Sequence, residues 1–172
     1  MTISGILATL LSCLPLFSQE MPIPSGQSSP IYDQKAGLTL TVVSVTKVQD
    51  LSFGTFSMPN SGGTVVMPAN GSRRATGDIV LVPSGSGFSA IFDVVTDNTN
   101  LITITIEDVV NLTNGTGGFM TVQIDDTYPV SPFTPVVGQN LVKVGGTLTV
   151  GTQSSNPAGA YSGYFEVTIN QE

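Results

Sequence analysis

Adjacent carboxylates are the residues of this chain that come closest to a catalytic set. Glu107 and Asp108 form one pair, and Asp125 and Asp126 form a second. Glycoside hydrolysis needs two carboxyl groups that flank one bond, whereas neighbouring residues of a strand point to opposite faces of the sheet. The chain has no histidine and a single cysteine, Cys13, in its N-terminal segment. Ser-His-Asp, Cys-His and histidine-metal sites are therefore excluded, and we expect no enzymatic activity.

Turn residues with side-chain oxygens are the remaining candidates for a metal site. Asp97, Asn98 and Asn100 could join Asp125 and Asp126 around a calcium ion. No stretch has the ligand spacing of an EF-hand, and turns use the same residues to bond their own backbone. The glycine-rich runs lack the Lys-Ser/Thr pair and helix of a phosphate-binding loop. We expect neither a metal nor a cofactor.

The composition indicates a β-protein that does not bind nucleic acid. Charged residues make up 10% of the 172 residues, against roughly 25% in ordinary globular domains. Threonine, valine and isoleucine are plentiful, and they favour the pleated, half-buried surface of a strand. The net charge is −7 with only five basic residues, and nucleic-acid binding needs clusters of Lys and Arg. The adjacent pair Arg73 and Arg74 is expected to lie in a solvated loop.

The N-terminal region resembles a secretory signal followed by a flexible lead. Residues 1–18 are apolar or small and uncharged, and this stretch is too short and broken to span a membrane. We predict a signal peptide over residues 1–18, a Pro/Ser-rich lead over 19–37 and a folded domain over 38–172. Cys13 is alternatively a lipoprotein acceptor. The expected localisation is secreted, at the bacterial cell surface, with no transmembrane segment in the mature chain.

A slip in the alternation of apolar residues marks the start of the domain. Leu38, Leu40 and Val42 alternate with threonines, and the apolar set then moves to Val43 and Val45. A shift of one residue sends every later side chain to the other face of a sheet. The region is therefore either one bulged strand or two strand segments that serve two different cores.

Further strands follow at the short, turn-bounded spacing of an all-β sandwich. The clearest of them covers residues 161–170, YSGYFEVTIN. Its inward set is predicted to contain Tyr161, Phe165, Val167 and Ile169. Roughly eight or nine strands are expected in all, and no segment has a helical period.

The stretch Asp125 to Asn140 has three prolines and no clean period, so it is predicted to be a long surface loop. Tyr128 and Phe133 within it could stack on a sugar, or could cap the open end of the sandwich. A ligand-binding loop and a capping loop therefore remain alternatives.

Four stretches together resemble a bacterial family of exported β-sandwich domains of unknown function: DLSFGTF (50–56), GTVVMPANGSRRATGDIVLV (63–82), GGTLTV (145–150) and GAYSGYFEVTINQE (159–172). The resemblance extends from about Leu38 to Glu172. That family in turn looks like the archaic chaperone–usher pilins and the spore-coat-protein-U-like subunits. The chain lacks the disulfide that is usual in those pilins.

The resemblance implies an incomplete immunoglobulin-like, pilin-like antiparallel sandwich, which a neighbour completes with a donor strand. In such strand addition, main-chain bonds supply affinity and alternate side chains fill pockets. Leu38, Leu40 and Val42 would be the donor side chains, and Val43 to Val48 would be the subunit's own first strand. The acceptor edge would include the 161–169 segment, with Tyr161, Phe165, Val167 and Ile169.

The implied function is a structural subunit of an extracellular filament, a pilus or fimbria, or of a surface coat. Its partners would be copies of itself, with a periplasmic chaperone and an outer-membrane usher during assembly. The alternative is a self-complete monomeric sandwich that acts as an adhesin or glycan-binding module. In that case residues 38–48 form one bulged strand, and the loop with Tyr128 and Phe133 binds the ligand.

Overall fold

A computed structural model of the chain describes residues 43–58 and 61–172. Every regular element in this part of the chain is a β-strand, and all strand pairs are antiparallel, so the predicted all-β class is confirmed. Among these residues there is no helix long and apolar enough to cross a membrane. The described strands are β1 (Val43–Gln49), β2 (Phe56–Ser57), β3 (Gly63–Met67), β4 (Arg74–Gly77), β5 (Val80–Leu81), β6 (Ala90–Thr96), β7 (Ile102–Ile106), β8 (Val109–Thr113), β9 (Phe119–Tyr128), β10 (Gly138–Val150) and β11 (Val167–Gln171).

The long strand β10 is the centre of a seven-stranded sheet. Its first half pairs with β6, which pairs with β1, and its second half pairs with β3, which pairs with β4. On its other side β10 pairs with β9, and β9 pairs with β8. The partner changes at Gly145 and Gly146, which interrupt the apolar pattern of the strand. A Cβ at Gly145 would lie 2.4 Å from the Met67 carbonyl oxygen, so only glycine permits this approach.

A smaller sheet of β7 and β11 lies against the seven-stranded one. Its register pairs Val167 with Ile106 and Gln171 with Ile102. The chain bends at Glu107 and Asp108 and continues from β7 into β8, so one stretch serves both sheets. The apolar side chains of the two sheets form one core between them. Its largest fully buried members are Tyr161, Phe53, Phe92, Ile102, Leu148, Val65, Val94, Val142 and Val144.

Three predictions fall outside the described residues. These are the signal peptide over 1–18, the lead over 19–37 and the donor strand over 38–42. The described domain begins with β1 at Val43, the residue at which the apolar alternation changes phase.

Candidate functional site

One edge of β11 carries no partner strand among the described residues. Among the described residues, β11 pairs with β7 on one side and has no partner strand on the other. Unpaired edge strands are templates for the addition of another strand. β11 is therefore the first candidate for a site at which the domain could accept an extended segment.

The hydrogen bonds of β7 show which backbone groups of β11 face this edge. Ile102 exchanges both of its backbone bonds with Phe133, each at 2.9 Å. The N–H of Ile104 donates to the Ser131 hydroxyl at 2.8 Å, and that hydroxyl donates to the Ile104 carbonyl at 3.2 Å. In an antiparallel pair, residues alternate between facing their partner and facing away. Gln171 and Ile169, which lie opposite Ile102 and Ile104, therefore direct their N–H and C=O groups to the open edge.

β1 is a second strand that is paired on one side only within the described chain. It pairs with β6, from Val43 opposite Thr96 to Gln49 opposite Ile91. The amide of Gln171 at the end of β11 donates to the Thr96 hydroxyl at 3.0 Å. The last residue pair of β11 therefore lies beside the first residue pair of β1. The two strands run in opposite directions, and each has one edge that is unpaired within residues 43–58 and 61–172. We name the space between these edges the β1–β11 gap.

Apolar side chains on both sides of the β1–β11 gap are incompletely covered. Val43 and Val45 of β1 and Ile169 of β11 pack against the core, yet each remains partly exposed. Inward-facing residues of a complete sheet, such as Phe92 and Val94 of β6, are fully buried. The gap thus combines backbone groups that have no strand partner in the described part of the chain with an incompletely covered apolar surface.

The four residues predicted for an acceptor edge occupy two different environments. Tyr161 and Phe165 precede β11 and are buried in the domain's own core. Val167 begins β11 and is also buried, whereas Ile169 is half-buried. The alternation predicted for residues 161–170 is present, but the regular strand covers only Val167–Gln171. Of the four side chains, Ile169 is the one that still has room for a neighbour.

The hydroxyl of Tyr161 has two hydrogen-bond partners within the domain. The hydroxyl donates to the Pro157 carbonyl at 2.9 Å and accepts a bond from the Asn114 amide at 3.3 Å. Burial raises the pKa of the Tyr161 phenol above its ordinary value. Ser162 exchanges two backbone hydrogen bonds with Thr113 of β8, at 2.9 and 3.0 Å. This part of the segment is therefore closed by the domain itself.

Tyr128 and Phe133, the residues of the predicted ligand loop, are placed differently from each other. Tyr128 is 52% exposed and lies at the end of β9, opposite Lys143 of β10. Phe133 is half-buried, packs against the core and forms the backbone bridge to Ile102. Phe133 thus covers an end of the sandwich, and only Tyr128 offers a ring to solvent. A ligand at Tyr128 stays a prediction.

Arg73 is a structural residue that the sequence interpretation missed. Its guanidinium donates to the carbonyls of Phe53 at 2.7 Å, Thr55 at 3.2 Å and Val82 at 3.1 Å, so the expected solvated loop residue instead joins two loops. Burial lowers the pKa of Arg73 from its ordinary value. Gly54 has a φ of +68°, and a Cβ there would lie 2.3 Å from a guanidinium nitrogen. The glycine within LSFGTF was the one available signal for this close approach.

One of the two carboxylate pairs, Asp125 and Asp126, forms hydrogen bonds within the fold. Asp126 accepts the N–H of Ala69 at 2.8 Å, and Asp125 accepts the Thr147 hydroxyl at 3.3 Å. The described residues contain no group of three or more His, Cys, Asp or Glu side chains that could hold a metal. Asp97 and its neighbours follow β6, and their oxygens bond to the turn and to Gln171.

A comparison with protein families finds one match, to a domain of unknown function, DUF4402, over residues 43–171. No curated protein and no solved structure shows significant similarity to the chain. The matched region begins at β1 and ends at the last residue of β11, so it includes both strands that border the gap. Because the match covers most of the sequence, the chain belongs to the DUF4402 family.

Proposed function

We propose that this protein is a structural subunit of an extracellular bacterial filament, a pilus or fimbria, or of a surface coat. The subunits assemble by donor-strand complementation. Residues 38–42 of one copy occupy the β1–β11 gap of the next, in an immunoglobulin-like sandwich that lacks one strand. The observation that carries the proposal is the gap itself: two strand edges without a partner among the described residues, beside the half-buried side chains of Val43, Val45 and Ile169.

The direct connection of residues 38–42 to β1 supports a donor strand that comes from another copy of the chain. No residue separates Val42 from β1, which begins at Val43. An antiparallel return needs a turn of about two residues, and a parallel return needs a crossover of about a dozen. Residues 38–42 therefore cannot lie beside β1 of their own domain while they continue into it. In the proposed assembly they would instead enter a second domain.

The length and the pattern of the donor fit the acceptor. Residues 38–42 and β11 both have five residues, about 17 Å of extended chain. Leu38, Leu40 and Val42 would point to the core, and their burial contributes about 5–9 kcal/mol before the cost of ordering. The backbone groups of Ile169 and Gln171 would gain partners. A persistent polymer is consistent with these terms.

The gap also supports the proposal that other proteins assist assembly. A subunit with an exposed edge and an uncovered core is prone to aggregation. We propose that a periplasmic chaperone covers the gap before assembly and that an outer-membrane usher exchanges it for the donor strand. A secreted location at the cell surface is part of the same proposal.

Electron microscopy of the purified full chain tests this function, with filaments as the expected result. A form that lacks residues 19–42 should stay monomeric and should bind a synthetic LTLTVV peptide, which corresponds to residues 38–43. The control peptide STSTVV has serine in place of both leucines and should bind at least tenfold more weakly, because each buried leucine contributes about 1.5–3 kcal/mol. Filaments from the shortened form would contradict the proposal.

A further inference from the structure

Exposed aliphatic side chains surround the point at which β1 begins. Val95, Leu101, Val136 and Val137 are between 37% and 64% exposed. We call this set the apolar collar. Single exposed apolar residues are ordinary on a protein surface, whereas several that lie at one end of a domain are candidates for a contact site. The collar therefore needs an explanation that isolated residues would not.

Strand pairing places the collar around Val43. Val43 lies opposite Thr96, the neighbour of Val95, and on its other side Thr96 lies opposite Gly138, which directly follows Val136 and Val137. The N–H of Glu172, just after β11, donates to the carbonyl of Leu101 at 3.0 Å. The four residues thus lie near the end of β6, directly before β7 and directly before β10, close to the beginning of β1.

The turn that holds the two most exposed valines is fixed in place. Val136 donates its N–H to the side-chain oxygen of Asn140 at 2.9 Å, and the Asn140 amide donates to the Val136 carbonyl at 2.8 Å. The same amide donates to the Gly138 carbonyl at 3.0 Å. A turn with its polar groups paired in this way presents its valines as a preformed apolar surface.

We infer that the apolar collar is a second contact between copies of this chain, in which the collar of one subunit packs on the body of the next. The inference rests on the proposed function. When residues 38–42 lie in a neighbour's gap, no linker separates them from Val43, so the neighbour's body meets the surface around Val43. An aliphatic surface at that position loses its contact with water when the subunits join.

Symmetry indicates which part of the neighbour the collar meets. The gap has two ends, one at Val43 and Gln171 and the other at Gln49 and Val167. Contact between identical ends would give a closed pair of subunits, whereas contact between different ends can continue into a filament. The collar therefore packs at the second end, where Val48 is 61% exposed. A donor entering from that end runs antiparallel to β11.

Serine variants of the full chain test the inference, with the critical concentration for polymerisation as the measurement. The double variant Val136→Ser, Val137→Ser should still polymerise, with a critical concentration at least about tenfold higher, since two aliphatic side chains no longer leave water when the subunits join. Val48→Ser should raise it in the same direction. Val109→Ser is the control, because Val109 is also exposed but lies on β8, four strands from β1.

The possible outcomes separate this inference from the proposed function. Leu40→Ser in the full chain removes a donor side chain and should raise the critical concentration by at least about tenfold; an unchanged value would contradict the donor role of Leu40. If the wild type forms no polymer, the proposed function fails and the collar contact fails with it. If the wild type polymerises but the collar variants match Val109→Ser, the collar contact alone is wrong.

Discussion

The C-terminal segment has two halves, residues 161–165 and the strand β11, which share one alternating pattern. They differ in how completely the rest of the domain covers them. Tyr161 and Phe165 in the first half are buried, and Ser162 is bonded to β8. In the second half, Ile169 is half-buried, and β11 has a partner on one side only within the described chain. The difference shows that alternation determines which side chains face the core, whereas covering strands determine how completely the core is closed.

The largest effect is expected from the buried tyrosine of the first half. Tyr161→Ala should lower the free energy of unfolding by about 3–5 kcal/mol, because a fully buried ring leaves a cavity. Tyr164, three residues later, is 73% exposed, and Tyr164→Ala should change stability by about 0.5 kcal/mol or less. Urea denaturation of the two variants measures the difference. Similar losses for both would show that the first half is not closed as described.

The second largest loss of stability is expected when Arg73, which binds three backbone carbonyls, is replaced. Arg73→Met removes three hydrogen bonds to carbonyls that lie in two loops, and should cost about 2–4 kcal/mol in urea denaturation. Arg74→Met changes a neighbouring, exposed arginine and is the matched control. An equal, small effect of the two substitutions would restore the interpretation of both arginines as solvated surface residues.

The close approach of Gly163 to β8 should give a smaller loss. A Cβ at Gly163 would lie 2.7 Å from the Asn111 carbonyl oxygen, whereas one at Gly159 would find its nearest atom at 3.7 Å. We expect Gly163→Ala to cost about 1–3 kcal/mol through displacement of β8, and Gly159→Ala to be near neutral. Thermal unfolding of both variants checks this prediction. An unchanged stability of the Gly163→Ala variant would mean that β8 can shift without destabilising the domain.

Alkaline pH should affect the first half through Tyr161. The folded state holds the phenol neutral, with its pKa raised by burial, whereas the unfolded phenol ionises near its ordinary value of about 10. The stability that depends on the neutral phenol is therefore present below about pH 10 and is lost as the pH rises through the folded-state pKa. Unfolding curves of the wild type and Tyr161→Phe between pH 8 and 11 should converge as this contribution disappears.

The smallest change in monomer stability is expected in the second half. Ile169→Ser alters a half-buried side chain at the β1–β11 gap and should cost the monomer about 1 kcal/mol, because that side chain is incompletely covered. Its effect on binding of LTLTVV should be larger, at least about tenfold. Calorimetry with the peptide and urea denaturation of the same variant compare the two effects. A loss of stability without a loss of binding would place Ile169 in a closed core.

The sequence was sufficient for the class of fold and for the inward face of residues 161–170. Alternation of apolar residues reports side-chain direction directly. It could not reveal that β11 has only one partner strand among the described residues, because the number of partner strands depends on pairings between residues far apart in the chain. The hydrogen bonds of Arg73 could not be predicted for the same reason, since their three acceptors lie 9 to 20 residues away. The apolar collar is likewise assembled from the ends of separate strands.

Amide hydrogen exchange on the form lacking residues 1–42 tests the β1–β11 gap most directly. Ile169 and Gln171 direct their N–H groups to the open edge, whereas Thr168 and Asn170 direct theirs to β7. Ile169 should exchange rapidly and Asn170 slowly in the free domain, and addition of LTLTVV should protect Ile169 without a comparable change at Asn170. An Ile169 amide that is already protected in the free domain, or is unchanged by the peptide, would contradict an open edge that accepts a donor strand.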